Sequence, residues 1–281
     1  FEEKFAESVK LRMVADVPLG AFLSGGVDSS SVVALMAEQS RQAVKTSTIG
    51  FDVESLDERH YADHVARRFA TEHRTRIVSP DDYGLLDRIV GHFDEPFADA
   101  SALPTFRVCE LAREEVTVAL SGDGADEAFA GYRRHLFQHR GEGMRRLLPQ
   151  SLRGPVFGAL GSIWPKADWA PRFLRAKSTF QELSLSGGEA YARSVGFTPP
   201  ELRTRLYTPE FTRALSGHRA EDRIVKTMES APARDPIDRA QYADLKIWLP
   251  GDILTKTDRM SMAVSLEARE PLLDYRLVEF A

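Results

Sequence analysis

Cysteine is almost missing from this chain: Cys109 is the only one in 281 residues. An internal disulfide is therefore excluded. Its neighbours Val108 and Leu111 place Cys109 on the buried face of a helix, as a core thiol. So little cysteine agrees with a reducing, cytoplasmic setting. No apolar run reaches the roughly 20 residues of a membrane span, so no membrane partner is expected. Positive charge is not in excess either. Lys and Arg number 37 against 42 Asp and Glu, a net charge of −5, which argues against a nucleic-acid or anionic-membrane partner. Repeats and low-complexity segments are absent. The chain begins at Phe1, and a helix starting at Tyr275 has no stop signal before Ala281. The sequence is therefore expected to be a piece of a longer chain.

What is present is an alternation of strands and helices. Residues 3–13 carry Phe5, Val9 and Arg12 at helical spacing. Val17 to Leu23 reads as a buried strand, Lys45 to Phe51 as the next, Arg74 to Val78 as a third and Val116 to Leu120 as a fourth. Between them lie a helix with Val32, Val33, Leu35 and Met36, an amphipathic helix over Asp57 to Ala70 with the stripe Tyr61, Val65, Phe69, and helices over Tyr83 to Phe93 and Ser101 to Glu114. This order predicts a doubly wound α/β fold with a parallel sheet. From about residue 135 strand alternation fades. The expectation is an α/β nucleotide-binding core over about 14–135 and a mainly helical part over 136–281. Near the end, Asp238 to Leu249 and Ile253 to Val264 read as two helices broken at Pro250-Gly251, with Asp252 capping the second.

Two glycine-rich turns fall at the carboxyl ends of predicted strands, where parallel sheets bind ligands. The first is Ser24-Gly25-Gly26-Val27-Asp28-Ser29-Ser30. A strand, a glycine turn and a helix opened by serines make an anion site, because the first N–H groups of a helix have no intrahelical partner. Gly25 and Gly26 let a phosphate approach the main chain, and Ser24, Ser29 and Ser30 add hydroxyl donors. The helix dipole supplies only about 0.3–1 kcal/mol, up to about 2 when partly buried, so hydrogen bonds and a cation must carry most of the binding. Asp28 inside an anion site is repelled by phosphate unless a metal lies between them, and Mg²⁺ is the simplest such ion. A Walker A loop is excluded, since no lysine precedes the closing serines, and neither turn fits a dinucleotide GxGxxG. The second turn, Ser121-Gly122-Asp123-Gly124-Ala125-Asp126-Glu127, packs three acids into seven residues. A shared cation relieves their repulsion. Asp126 is then the natural partner of Asp28 on the metal, while Asp123 contacts the nucleotide or organises a nearby base. An unliganded glycine turn and a solvated acidic loop are the plain alternatives, and each turn weakens the plain reading of the other.

The segment SGGVDSS resembles the PP-loop of N-type ATP pyrophosphatases. SGDGADEAFAGYRR and DILTKTDRMSMAVSLEAREPLLD resemble the synthetase domain of the class B, glutamine-hydrolysing asparagine synthetases, as does DEPFADASALPTF between them. The resemblance runs nearly end to end. It implies that an aspartate side-chain carboxylate attacks the α-phosphorus of ATP, that Mg-pyrophosphate leaves, and that ammonia attacks the β-aspartyl-adenylate to give asparagine and AMP. By position it implies that Ser24, Gly25, Gly26, Asp28 and Ser29 cradle pyrophosphate and Mg²⁺. Leu23 and Ile49 are implied to contact the adenosine, Ser121 and Gly122 the nucleotide, and Asp126 the metal with Asp28. Asp123 stands where many members carry glutamate, a position linked to the amide-forming step, and is one methylene shorter.

The implied cofactors are ATP and Mg²⁺. The implied partners are an aspartate-like acid and ammonia from a glutaminase domain of the same chain; a homodimer is left open. The family's glutaminase begins with cysteine, which Phe1 is not, and its lysine-bearing segment beyond the equivalent of Leu277 to Ala281 is also absent, so this piece alone is expected to be inactive or weak. Asp99 lies in the stretch Phe97 to Ser101, where some members place an arginine. That departure keeps open a relative that adenylates another acid to form a β-lactam, a cyclic peptide or an amidated sugar. A tRNA-modifying PP-loop enzyme and a degenerate scaffold are further options.

His60 and His64, four apart, fit an exposed helix face better than a metal site. Arg133, Arg134, Arg140, Arg145 and Arg146 read as a solvated or subunit-facing run rather than a nucleic-acid patch. Lys256, Arg259, Glu267 and Arg269 either meet a charged substrate or pair with one another. Trp164, Trp169 and Trp248 read as core or interface residues.

Overall fold

The computed structural model describes residues 1–165 and 176–281. These form two compact units, residues 1–129 with 248–281, and residues 130–247.

The first unit opens with α1 (Glu2–Arg12) and then alternates β1 (Leu19–Phe22), α2 (Val27–Gln39), β2 (Lys45–Phe51), α3 (Arg59–Arg68) and β3 (Glu72–Val78). A 3₁₀ turn (Pro80–Leu85) and α4 (Leu86–Val90) stand where one helix over Tyr83 to Phe93 is expected from sequence. A Ser79–Asp82 capping box, with Ser79 N–H donating to Asp82 at 2.8 Å, fixes this tight start. Then come α5 (Ala102–Arg113), β4 (Val118–Leu120) and α6 (Ala125–Ala128).

The second unit is helical throughout its described residues: α7 (Arg133–Arg145), α8 (Gln150–Ile163), α9 (Lys177–Ser184), α10 (Gly187–Val195), α11 (Pro200–Leu206), α12 (Pro209–Ala214), α13 (Glu221–Glu229) and α14 (Pro236–Ala243). A π-helical stretch, Asp244–Ile253, leads the chain back to the first unit. There α15 (Leu254–Met262), β5 (Glu267–Arg269), a 3₁₀ turn (Pro271–Leu273) and α16 (Tyr275–Val278) complete it.

The sheet is all parallel with the order β3-β2-β1-β4-β5. The expected α/β sheet is therefore present. The chain builds outward from β1 in one direction and then returns to add β4 on the other side. The switch point lies between β1 and β4, which pair from Leu19↔Val118 to Ala21↔Leu120. Ligand crevices form outside the carboxyl ends of strands at such a reversal.

The sheet packs against Phe5, Val9, Val32, Val33 and Met36, all buried, and against Phe106 and Met260 elsewhere in the unit. Cys109 is fully buried with Ala112, Val116, Ala119 and Leu266, and burial pushes its thiol well above the ordinary range. It is a core thiol, as its neighbours predict.

Three local expectations need correction. In α3 the face against the sheet is Ala62 and Ala66, while Tyr61 is 57 % exposed. Val65 of the expected stripe is partly buried against the same core, but small residues let this helix approach closely and leave Tyr61 outside. β5 is a strand in a stretch expected to be mainly helical; at three residues it is too short to show a period. Pro250-Gly251 does not break the chain into two capped helices. It lies inside the π-helical stretch, where carbonyls are matched to donors five residues on, and Thr255 Oγ1 donates to the Pro250 carbonyl at 2.8 Å. Asp252 lies within this stretch, and α15 starts without a side-chain cap.

In the second unit, the buried Asp244 Oδ2 accepts from Tyr191 OH at 2.6 Å, His135 Nε2 at 2.8 Å and Arg134 Nη2 at 3.0 Å. Arg145 is bound to Glu142 at 2.9 Å. Two members of the basic run are thus engaged internally, and the run is not one free cationic patch. Trp164 packs edge-on against Phe180, with centroids 5.3 Å apart. Trp169 lies outside the described residues.

Candidate active site

The apolar strand β1 runs into Leu23, which is buried and held on both sides. Its N–H donates to Ser47 O at 3.0 Å, and Thr48 Oγ1 donates to its carbonyl. The chain then turns through Gly25 at φ +82°, a conformation that L side chains rarely adopt. A Cβ on Gly25 would lie 2.5 Å from the Ala62 nitrogen and from Tyr61 Cβ, so the start of α3 packs directly on this turn. Gly26 is the N-cap of α2 and has no capping side chain. Ser30 N–H donates to Gly26 O at 3.0 Å as the first bond of the helix. The N–H groups of Val27, Asp28 and Ser29 have no partner among the described residues.

Two serines knit this corner. Ser24 and Ser29 hydroxyls lie 2.8 Å apart, Ser24 N–H donates to Ser29 Oγ at 3.2 Å, and Gly26 N–H donates to Ser24 Oγ at 3.2 Å. Ser29 Oγ also lies 3.4 Å from Gly26 O as a donor. Ile49 lies on β2, partly buried against Val78, Phe106 and Met260.

The second corner leaves β4. Ser121 N–H donates to Arg269 O of β5 at 2.8 Å. Ser121 Oγ donates to Asp123 Oδ2 at 2.9 Å and accepts from Asp123 N–H at 3.3 Å. Thr257 Oγ1 of α15 donates to the same Asp123 oxygen at 3.0 Å. The chain turns at Gly124, φ +93°, where a side chain would run into Leu273. Asp126 and Glu127 then fall in the first turn of α6.

The two corners touch. A Cβ on Gly122 would lie 2.7 Å from Ser29 N and 3.1 Å from the Asp28 carbonyl carbon. The carboxylates converge as well. Asp28 has its pKa raised, first by burial and then by the charges of Asp126 and Asp123. Of the residues singled out from sequence, the structure gathers Ser24, Gly26, Asp28, Ser29, Ser121, Gly122, Asp123 and Asp126 around one place. Leu23 enters the first corner at the end of its strand, and Gly25 shapes that corner against α3.

Among the described residues, no group of three or more His, Cys, Asp or Glu side chains is arranged to hold a metal ion. His60 and His64 are both exposed.

The family model named asparagine synthase matches residues 1–281. The chain belongs to the asparagine synthase family. It is 33 % identical over 279 residues to asparagine synthetase (glutamine-hydrolysing) 1 of Bacillus subtilis, covering 95 % of this chain and 40 % of that protein. It is 37 % identical over 280 residues to a Mycobacterium bovis protein provisionally named a glutamine-hydrolysing asparagine synthetase, covering 95 % and 39 %. A Penicillium rubens protein named as an amidase is 28 % identical over 318 residues, covering 99 % and 44 %. The chain thus spans less than half the length of each of these relatives.

Within this family member, sequence reasoning missed two residues at the second corner. Thr257 is hidden as one polar residue among several in a helix. Glu270 follows β5 directly, and the register Leu120↔Arg269 sets it beside Ser121. Its carboxyl is pushed up to about 7, by burial first and by Asp123 second, with Asp258 adding and Arg12 opposing. An acid between Arg269 and Pro271 was the available signal, but only the unseen strand gives it a location. Lys256 binds Asp99 at 2.7 Å and Ser101 Oγ at 2.7 Å. Arg259 pairs with Asp94, and Arg269 with Glu267 at 2.7 Å. These four charged residues pair within the fold rather than standing free. No helix among the described residues is long and apolar enough to cross a membrane.

Proposed function

We propose that this chain carries the ATP-dependent half of an amide synthesis. The side-chain carboxylate of aspartate attacks the α-phosphorus of ATP, pyrophosphate leaves, and ammonia released from glutamine by a glutaminase domain converts the β-aspartyl-adenylate to asparagine and AMP. The observation that carries this reading is the closure of Gly122 on Ser29 N, which joins an anion-binding helix start to an acidic corner at the switch point of the sheet.

The N–H groups of Val27, Asp28 and Ser29, with the Ser24 and Ser29 hydroxyls, bind the pyrophosphate end of ATP. Leu23 and Ile49 bound the adenosine, and Ser121 and Gly122 hold the nucleotide from the other side. No lysine stands in the first corner, so the grip falls on main-chain donors and on charge balance. Asp28 and Asp126 fit Mg²⁺. That ion takes one or two carboxylates and completes its shell with substrate phosphates and water, so a full protein cage is not required. Their mutual repulsion is what a cation relieves. When bound, the ion supplies charge neutralisation on the leaving pyrophosphate. Asp123, fixed by two hydroxyl donors, faces the amide-forming step. Holding acid and nucleotide in line contributes about 7–11 kcal/mol where the geometry is good.

A second reading keeps the adenylation and changes the acid. It is favoured by Asp99, an anion tied to Lys256 where some family members carry arginine, and by similarity to a protein named as an amidase.

Pyrophosphate–ATP exchange in the full-length protein tests both. Stimulation by L-aspartate supports the first reading. Stimulation by another carboxylic acid but not by aspartate selects the second, and no stimulation by any acid contradicts adenylation altogether.

A further inference from the structure

At the second corner the acids differ in how they are held. Asp123 Oδ2 is tied by Ser121 and Thr257. Asp258 of α15 is 63 % exposed, with Arg259 at 3.9 Å. Glu270 is different. It is half-buried and follows the strand that pairs with β4. Its carboxylate has no side-chain hydrogen bond or ion pair among the described residues. The cation facing it, Arg12, donates to Asp274 at 3.1 Å and to Ser8 Oγ at 2.8 Å. The neighbouring Arg269 points to Glu267 and to the Arg12 and Val14 carbonyls. Glu270 is thus an acid whose carboxylate has no partner among the described residues beyond its own backbone N–H, placed by the strand register beside Ser121 and raised by the charge of Asp123.

We propose that Glu270 is the proton acceptor of the amide-forming step. This rests on the adenylation reading above. The amine lone pair forms the new C–N bond at the acyl carbon. The bond from that carbon to the AMP oxygen breaks, and its electron pair stays on the AMP phosphate. The attacking ammonia must shed one proton, which passes to the Glu270 carboxylate and then to solvent. The products are the amide, AMP and a regenerated Glu270.

Asp123 is the fixed neighbour whose negative charge makes Glu270 more basic. Burial and the Asp123 and Asp258 charges bring Glu270 near neutrality, with Arg12 opposing, and a base so poised is both available and willing to accept a proton at physiological pH.

The test uses Glu270→Gln in the full-length protein, with ATP, L-aspartate and ammonium chloride as probes. Expected are unchanged aspartate-dependent pyrophosphate–ATP exchange and amide formation reduced about 100-fold or more. With the rate expressed per free ammonia, the acidic limb of the amide-formation pH profile disappears in the variant. Hydroxylamine, a stronger nucleophile already unprotonated at neutral pH, still gives the hydroxamate, and Glu270→Asp recovers part of the ammonia-dependent rate. Full-rate amide formation by Glu270→Gln overturns the assignment while leaving adenylation intact. An equal fall of exchange and amide formation overturns it too, because Glu270 then serves the nucleotide site. Absence of acid-stimulated exchange in the unaltered protein overturns the adenylation reading and this proposal with it.

Discussion

In the corner after β1, polar side chains bond to the main chain and to each other: Ser24, Ser29 and Gly26 form a closed set of contacts. In the corner after β4, hydroxyls instead converge on one carboxylate, Asp123, while Asp126, Asp28 and Glu270 add negative charge around it. The first corner is shaped by space, with Gly25 pressed on α3. The second is shaped by charge and meets the first through the bare backbone of Gly122. An anion cradle and a cluster of acids are electrostatic opposites. Their contact makes sense when a cation and a polyanion are bound together.

The steric half of this comparison breaks with a methyl group. Gly122→Ala places a Cβ against the Ser29 nitrogen, and Gly25→Ala meets both the α3 backbone and a strained φ. Each is expected to destabilise the protein by about 3 kcal/mol, the upper end for overpacking, and to abolish ATP binding. Gly26→Ala meets only Ser24 Oγ at 3.3 Å and is expected to stay within about 1 kcal/mol of the parent. Urea unfolding of the three variants checks this, and equal stability across the set would separate the corners.

The electrostatic half sharpens with pH. Glu270 binds its proton more tightly in the folded chain, with a value raised from 4.5 to about 7. Between those values the folded state holds more protons than the unfolded state, so stability falls as pH rises through that window. Glu270→Gln removes this loss. The variant is expected to melt higher than the parent at pH 8, by the equivalent of about 3 kcal/mol, and at the same temperature near pH 4. Asp28 is raised in the same direction, so Asp28→Asn also stabilises the ligand-free protein at neutral pH while weakening nucleotide binding. A small loss is expected of Thr257→Val. Losing one hydroxyl donor to Asp123 costs about 1 kcal/mol, visible in the same melts.

Much of the first unit was legible in the sequence. Lys45 to Phe51 is the strand as read, and the runs ending at Leu23 and Leu120 lead into glycine corners where the chain does turn. Those corners were legible because glycine, serine and aspartate each signal a physical need at one spot. The illegible parts have physical causes. β5 has no period in three residues, so Glu270 had no address. Pro250 suggests a break only if the helix is α-helical, and the π stretch removes that conflict. Tyr61, Val65 and Phe69 make a good stripe, but Ala62 and Ala66 allow the closer approach. In 140–235 the helices are short and interrupted by Pro and Gly, so no window carries a long amphipathic signal, and Asp244 is organised by residues about 50 and 110 positions away in sequence.

The central claim is that the two corners share a cation with the nucleotide. Calorimetric titration of ATP into the unaltered protein and into Asp28→Asn, each with and without Mg²⁺, addresses it most directly. Binding to the unaltered protein is expected to depend strongly on Mg²⁺, and Asp28→Asn is expected to bind weakly with little dependence on the metal. Equal Mg²⁺-dependent affinity in the two proteins would contradict the account.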